Sequence, residues 1–89
     1  MRIVHLTLRE ATKFLKERKQ AFNPPKEAIL VVGLKDDDGL HGAFVAVKED
    51  AETAALVHVY ADGSPGGFSH LYGDGWRALK AMGFTYVRL

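Results

Sequence analysis

The most constraining feature of this chain lies in its last third. An apolar run of strand length, ALVHVYA (Ala55 to Ala61), is followed by a glycine-rich turn, a helical pattern and a second short apolar run, FTYVRL. A strand, a helix and a strand in that order bring the second strand back parallel to the first, because the helix returns the chain to its starting end. The preceding apolar runs, AILVVGL (Ala28 to Leu34) and LHGAFVAV (Leu40 to Val47), are joined to each other and to ALVHVYA only by the short polar stretches KDDDG and KEDAET. Connections of that length allow hairpins and nothing else, so these three strands pair antiparallel. One sheet must therefore contain both kinds of pairing.

The N-terminal third supplies another strand and helix. RIVHL (Arg2 to Leu6) alternates and is β-branched, as a short strand requires. Thr7 and Glu10 have the spacing of a capping box, and Leu8, Ala11 and Leu15 then share one helical face with Phe14 beside them. This helix is expected to fade near Gln20, since Asn23-Pro24-Pro25 cannot continue it. In the second helix, Phe68, Leu71, Tyr72, Gly75, Trp76, Leu79 and Met82 recur at three and four residues, which predicts a buried face anchored by Trp76. Gly83 is expected to end it as a left-handed cap, and Gly39 to take positive φ in the KDDDG hairpin turn. The expected order is β-α-β-β-β-α-β, an α+β fold with helices packed on a mixed sheet. At 89 residues the chain is a single domain, 1–89.

Composition narrows the functional classes. A net charge of +1 supplies no global field for nucleic acid or anionic lipid, and the absence of cysteine excludes disulfides and thiolate chemistry. His5, His41, His58 and His70 lack the close spacing of a metal site, so no metal ligands are assigned. No apolar run of signal or membrane-span length is present, and a cytoplasmic location is the default expectation. On the fourth strand a strict alternation places Leu56, His58 and Tyr60 on one face and Val57 and Val59 on the other. His58 is the candidate general base, since its ordinary pKa lies near neutrality. The bland alternative is a half-buried histidine with a satisfied hydrogen bond. Gly73 and Gly75 each cost about 1 kcal/mol in a helix interior. Gly75, on the apolar face, is expected to allow close approach to the sheet, a ligand or another helix, and the two together suggest a packing surface beyond the domain's own core, with a flexible helix as the alternative.

The layout and the residues DGSPGGFSHLYGDGWRALKAMGF, with NPP before an apolar strand, resemble the small phage-type GNAT-like proteins, which have the N-acetyltransferase fold and are distantly akin to the Mom DNA-modification proteins. The resemblance runs from MRIVHLTLREA to the end and is densest in Asp62 to Phe84. It implies a minimal GNAT-like domain without the usual C-terminal elements. It also implies acetyl-CoA bound at the turn from strand four to helix two, with Ser64, Gly66, Gly67, Phe68 and Ser69 as the cofactor-binding residues. The physical basis is general: the first helical N–H groups lack partners and the helix dipole favours an anion there. Tyr60 or Tyr72 would donate a proton to the leaving thiolate. The sequence departs from the family in three ways: Pro65 sits where an extra donor would help and Phe68 near the place of the second glycine, no Lys or Arg lies between Asp62 and Trp76, and ERKQAF stands where paired histidines often occur. These departures imply degraded or partner-dependent N-acyltransferase activity. A plain strand-to-helix turn capped by Ser69 is the structural alternative. The functional alternative is a non-enzymatic phage-type protein that binds a host protein or a nucleic-acid-associated partner. An uncovered fifth strand would further imply homodimerisation through its edge.

Overall fold

A computed structural model describes all residues, Met1–Leu89. Its elements are β1 (Arg2–His5), α1 (Leu8–Glu17), β2 (Leu30–Asp36), β3 (Gly39–Lys48), β4 (Thr53–Ala61), α2 (Gly67–Ala81) and β5 (Tyr86–Arg88). The five strands form one sheet in sequence order. β1 to β4 pair antiparallel, and β5 joins β4 in parallel. The expected α+β architecture and element order are those observed. No helix is long and apolar enough to cross a membrane.

The helices cover opposite faces of the sheet. Ala11, Phe14 and Leu15 of α1 bury against Ala43 and Val45 of β3, with Phe22 closing the cluster. Leu71 and Leu79 of α2 bury against Val32, Leu34, Phe44 and Ala46 on the other face, together with Phe84. Alternation along β3 makes this possible, since its successive side chains serve the two faces in turn.

Both helix ends of α1 are set locally. The Thr7 hydroxyl accepts from the Glu10 N–H at 3.0 Å, and Glu10 accepts from the Thr7 N–H at 2.8 Å, completing the capping box. At the other end Lys19 takes φ 58°, and the Gln20 N–H reaches back to the Leu15 carbonyl at 2.9 Å. That Schellman closure stops the helix at Glu17, three residues before the expected fade. In α2 the same motif forms at Gly83, φ 101°, where the Phe84 N–H bonds to the Leu79 carbonyl. Gly39, φ 123°, turns the hairpin as expected.

The buried face of α2 is narrower than its periodicity suggests. Leu71, Gly75 and Leu79 are buried with Gly67, whereas Phe68 and Met82 are half exposed and Trp76 is 36% exposed. Phe68, Tyr72 and Trp76 each follow a buried residue by one position, so they run along the helix flank. Trp76 is therefore not the core anchor. Phe44 has that role, and a Cβ on Gly75 would come within 2.6 Å of its ring. Gly75 thus has the first of its expected roles, close approach to the sheet, and no packing surface beyond the core is needed to account for it. A Cβ on Gly73 would meet only the Arg77 guanidinium, at 3.5 Å.

These two glycines give opposite expectations. Gly75→Ala forces a methyl into the fully buried Phe44 ring and destabilises by about 1–3 kcal/mol. Gly73→Ala gains helix propensity and stabilises by about 0.5–1 kcal/mol. Each kcal/mol corresponds to about 4–8 °C in Tm for a domain of this size. Thermal unfolding of both variants checks the pair, and equal shifts of the same sign would contradict the packing assigned to Phe44.

Candidate functional site

The turn between β4 and α2 is built by Ser64-Pro65-Gly66-Gly67. The Gly67 N–H donates to the Ser64 carbonyl at 2.9 Å, and Gly66 sits at φ 73°, ψ −3°. Those values, with Pro65 before them, describe a type II turn: proline presets the first central residue and glycine accepts the positive φ of the second. Pro65 supplies no N–H, as expected, but it shapes the turn. α2 begins at Gly67 with Gly66 as its N-cap and no side-chain cap. Ser69 lies inside the first turn of the helix, so the alternative in which it caps the helix does not hold.

The cofactor-binding residues expected from sequence are therefore together but not equivalent. The N–H groups of Gly66, Phe68 and Ser69 make no hydrogen bond within the chain. They are open donors at a helix N-terminus, where partial positive charge accumulates. Gly67 spends its N–H on the turn and is buried, with Leu34 Cδ2 3.0 Å from where a Cβ would be. The Ser64 hydroxyl donates to Asp62 Oδ1 at 2.7 Å, so it is not free to donate to a ligand. Phe68 stacks on Tyr72, with ring centroids 5.9 Å apart and planes at 18°.

The strand leading into this turn is open on one side. β5 pairs only with Thr53, Ala54 and Ala55 of β4. From Leu56 to Ala61, alternate backbone groups of β4 face no strand. β4 also carries a bulge, because Val45 pairs with His58 while Ala46 pairs with Leu56, leaving Val57 unopposed. The bulge reverses the expected alternation. Leu56 packs with Val59 on the α2 face, whereas Tyr60 packs on the α1 face. His58 lies there too: its ring is 5.6 Å from that of Phe22, and Nε2 is 3.1 Å from Gln20 Oε1. Tyr60 lies 6.1 Å from Phe14, ring to ring. Of the three expected catalytic residues, the structure groups His58 with Tyr60 across the sheet from Tyr72, which stands beside the open N–H groups.

A second bulge lies behind the turn and escaped the sequence reading. On β3, Gly42 pairs with Leu34 and Leu40 with Lys35, so His41 is unopposed. Its ring is thereby aimed between two carboxylates, with Nδ1 2.5 Å from Asp62 Oδ2 and Nε2 2.8 Å from Asp36 Oδ1. The second contact is an ion pair without hydrogen-bond alignment, since Nε2 is buried and otherwise unpartnered. Asp62 Oδ1 accepts from both the N–H and the hydroxyl of Ser64. Arg18 reaches over from the end of α1, with Nη1 3.7 Å from Asp62 Oδ2 and Nη2 donating to the Leu40 carbonyl at 3.2 Å. Asp62 and then Asp36 raise the His41 pKa above its ordinary 6.5. The contacts from Ser64 and then His41 lower Asp62 to about 2, and His41 with the Asp38 backbone N–H lowers Asp36.

No protein-family profile matches this chain, and no curated protein does. The fold itself is nevertheless shared with an acetyltransferase of known structure. Among solved structures, a ribosomal-protein-alanine N-acetyltransferase from Brucella melitensis biovar Abortus 2308 superposes with a TM-score of 0.73. The match covers 99% of this chain and 77% of that one, at 15% identity. A likeness at that identity concerns architecture, and function must come from the site.

The charge network fixes the pH dependence of stability. His41 is raised, so its contribution is fully present below about pH 6.5 and is lost as pH climbs through its folded value. Asp62 is lowered, so its contribution is present above pH 3.8 and is lost as pH falls toward about 2. Tm should therefore be highest between these limits and decline on the alkaline side. His41→Gln should flatten that alkaline decline, and an unchanged slope in the variant would remove His41 as its source.

Proposed function

We propose that this domain binds acetyl-CoA at the β4–α2 turn and transfers the acetyl group to an amine. The observation that carries the proposal is a pair of unpaired backbone sets on one connection, the edge of β4 beyond its pairing with β5 and the N-terminal donors of α2. The open edge of β4 leads directly to the free N–H groups of Gly66, Phe68 and Ser69. A ligand that fits such a track has an amide-bearing arm ending in a pyrophosphate. The arm pairs with the strand edge as an added strand would, and the phosphates sit at the helix N-terminus.

In this pose the thioester would reach back along β4 toward the bulge at Val57, two residues beyond the last one paired with β5. The amine nitrogen attacks the thioester carbonyl, the C–N bond forms, the C–S bond breaks, and the proton lost from nitrogen must be removed. The Gln20 Oε1 contact assigns the N–H of His58 to Nε2 and leaves Nδ1 as the base. The departing thiolate takes a proton from a tyrosine. Tyr60, two residues from His58 on the same face, is at the acyl end, and Tyr72 is at the phosphate end.

Thermal unfolding with acetyl-CoA tests this reading, with Ser69→Glu as the companion variant. A carboxylate in the first turn of α2 favours the helix but repels a phosphate, so the variant should fold at least as well as the wild type. Ligand at a hundredfold excess over Kd stabilises by about 2.7 kcal/mol, which raises Tm by roughly 10 °C or more. A shift in the wild type that is lost in Ser69→Glu supports the site. The absence of a shift in the folded wild type rejects it.

A further inference from the structure

The network of Asp36, His41, Asp62 and Ser64 lies outside the chemistry proposed above, yet it is attached to the same turn. Its placement depends on a β-bulge, a device that re-aims a single side chain and recurs beside functional sites. Here the re-aimed side chain is His41, and what it reaches is the carboxylate that holds Ser64. We propose that the protonation state of His41 sets the shape of the Ser64–Gly67 turn, and through it the anion affinity of the α2 N-terminus. Asp62 and His41 are thus positioning residues for the phosphate site. This inference rests on the acetyl-CoA reading for the identity of the anion, but the coupling between ring and turn can be observed separately.

The argument is one of donors and charges. A protonated imidazole has two N–H groups, and here Nδ1 bonds Asp62 while Nε2 meets Asp36 as an ion pair, whereas a neutral ring has only one N–H and no charge for the second carboxylate. On deprotonation, either Asp62 or Asp36 faces a ring lone pair. Asp62 Oδ2 is the atom clamped by His41, while Oδ1 of the same carboxylate accepts both Ser64 contacts at 3.1 and 2.7 Å. Rotation of this one carboxylate therefore releases Ser64, whose carbonyl closes the turn onto the Gly67 N–H.

The charges act in the same direction. The groups around the ring are Asp36 from β2, Asp62 from the end of β4 and Arg18 from the end of α1, and no other charged side chain pairs with His41 or Asp62. With His41 protonated, the two carboxylates and two cations cancel. With His41 neutral, a net negative charge remains behind a site that must accept phosphates, and no Lys or Arg lies between Asp62 and Trp76 to offset it. The Asp62 N–H still donates to the His41 carbonyl at 2.9 Å, so the backbone stays joined while the side-chain clamp opens. Because coupling is reciprocal, the anion must in turn raise the pKa of His41.

The test measures acetyl-CoA affinity calorimetrically from pH 6 to 9 in the wild type and in His41→Gln, alongside an NMR titration of the histidine rings and backbone amides. Comparing the two proteins removes the coenzyme's own ionisation. The wild type should lose affinity about fivefold or more relative to the variant across the His41 titration, the lower end of ordinary coupling between sites. The amides of Ser64, Gly66 and Gly67 should move with the His41 midpoint, and bound coenzyme should raise that midpoint. Identical pH profiles in the two proteins, or turn amides that ignore the ring, overturn the proposal. If acetyl-CoA binds at no pH while the amides still follow the ring, the coenzyme reading fails and the coupling of ring to turn is upheld. Should His41→Gln not fold, Asp36→Asn replaces it. Loss of that carboxylate lowers the His41 midpoint, so the affinity and amide curves must both move to lower pH, and curves that stay in place reject the proposal.

Discussion

The contact between the Phe44 ring and the backbone of Gly75 determines the rest of the architecture. Phe44 lies on the central strand and is 1% exposed. With no side chain at Gly75, α2 comes down onto that ring, and its depth over the sheet is fixed there. Leu71 and Leu79, one turn to either side, are buried as a result. The N-terminus of α2 is held by the same seating, so the free donors of Gly66, Phe68 and Ser69 stand at the end of β4 and not above it. A helix glycine that weakens the helix in isolation is therefore a condition of the tertiary fold, a common way for packing to override propensity.

The fold was largely legible in the sequence because its determinants are local and repetitive. Short polar connections dictated the antiparallel pairs, and a helical crossover dictated the parallel one. Thr7 and Glu10 announced the start of α1, and Gly83 announced the end of α2. What escaped the sequence depends on single residues that break a period. The bulge at Val57 moves His58 and Tyr60 away from the face of Leu56, and no alternation rule contains that information. Lys19 ends α1 in a conformation for which lysine carries no signal. Trp76 follows the buried stripe by one position, a difference of about 100° around a helix, enough to take a large ring from the core to the flank.

The candidate site was legible in part for the same reason. The turn residues were identifiable as a group, since proline and glycine at fixed offsets carry their own geometry. Their division of labour was not. Gly67 closes the turn, Ser64 is committed to Asp62, and only three backbone groups stay open, because hydrogen bonds made elsewhere in the chain decide which donors remain. The His41 network left no trace in spacing. Its members are separated by 5 and 21 residues and meet only because β3 bulges between two strand ends. Asp62 counts in the sequence as a negative charge beside a phosphate site, but in the structure it is neutralised by His41 and Arg18.

The arrangement of β5 has a mechanical consequence. The strand pairs with β4 along all three of its residues, the Glu52 carbonyl accepts from the N–H groups of Thr85 and Tyr86, and Arg88 Nε donates to Glu49 at 2.8 Å. From there β4 continues alone past Ala55. Val87 of β5 packs against the α2-face core, so this short strand ties the β3–β4 turn to that face. An extended segment added to β4 beyond Ala55 would therefore leave β5 paired as it is, and the packing on Phe44, Leu71 and Leu79 with it.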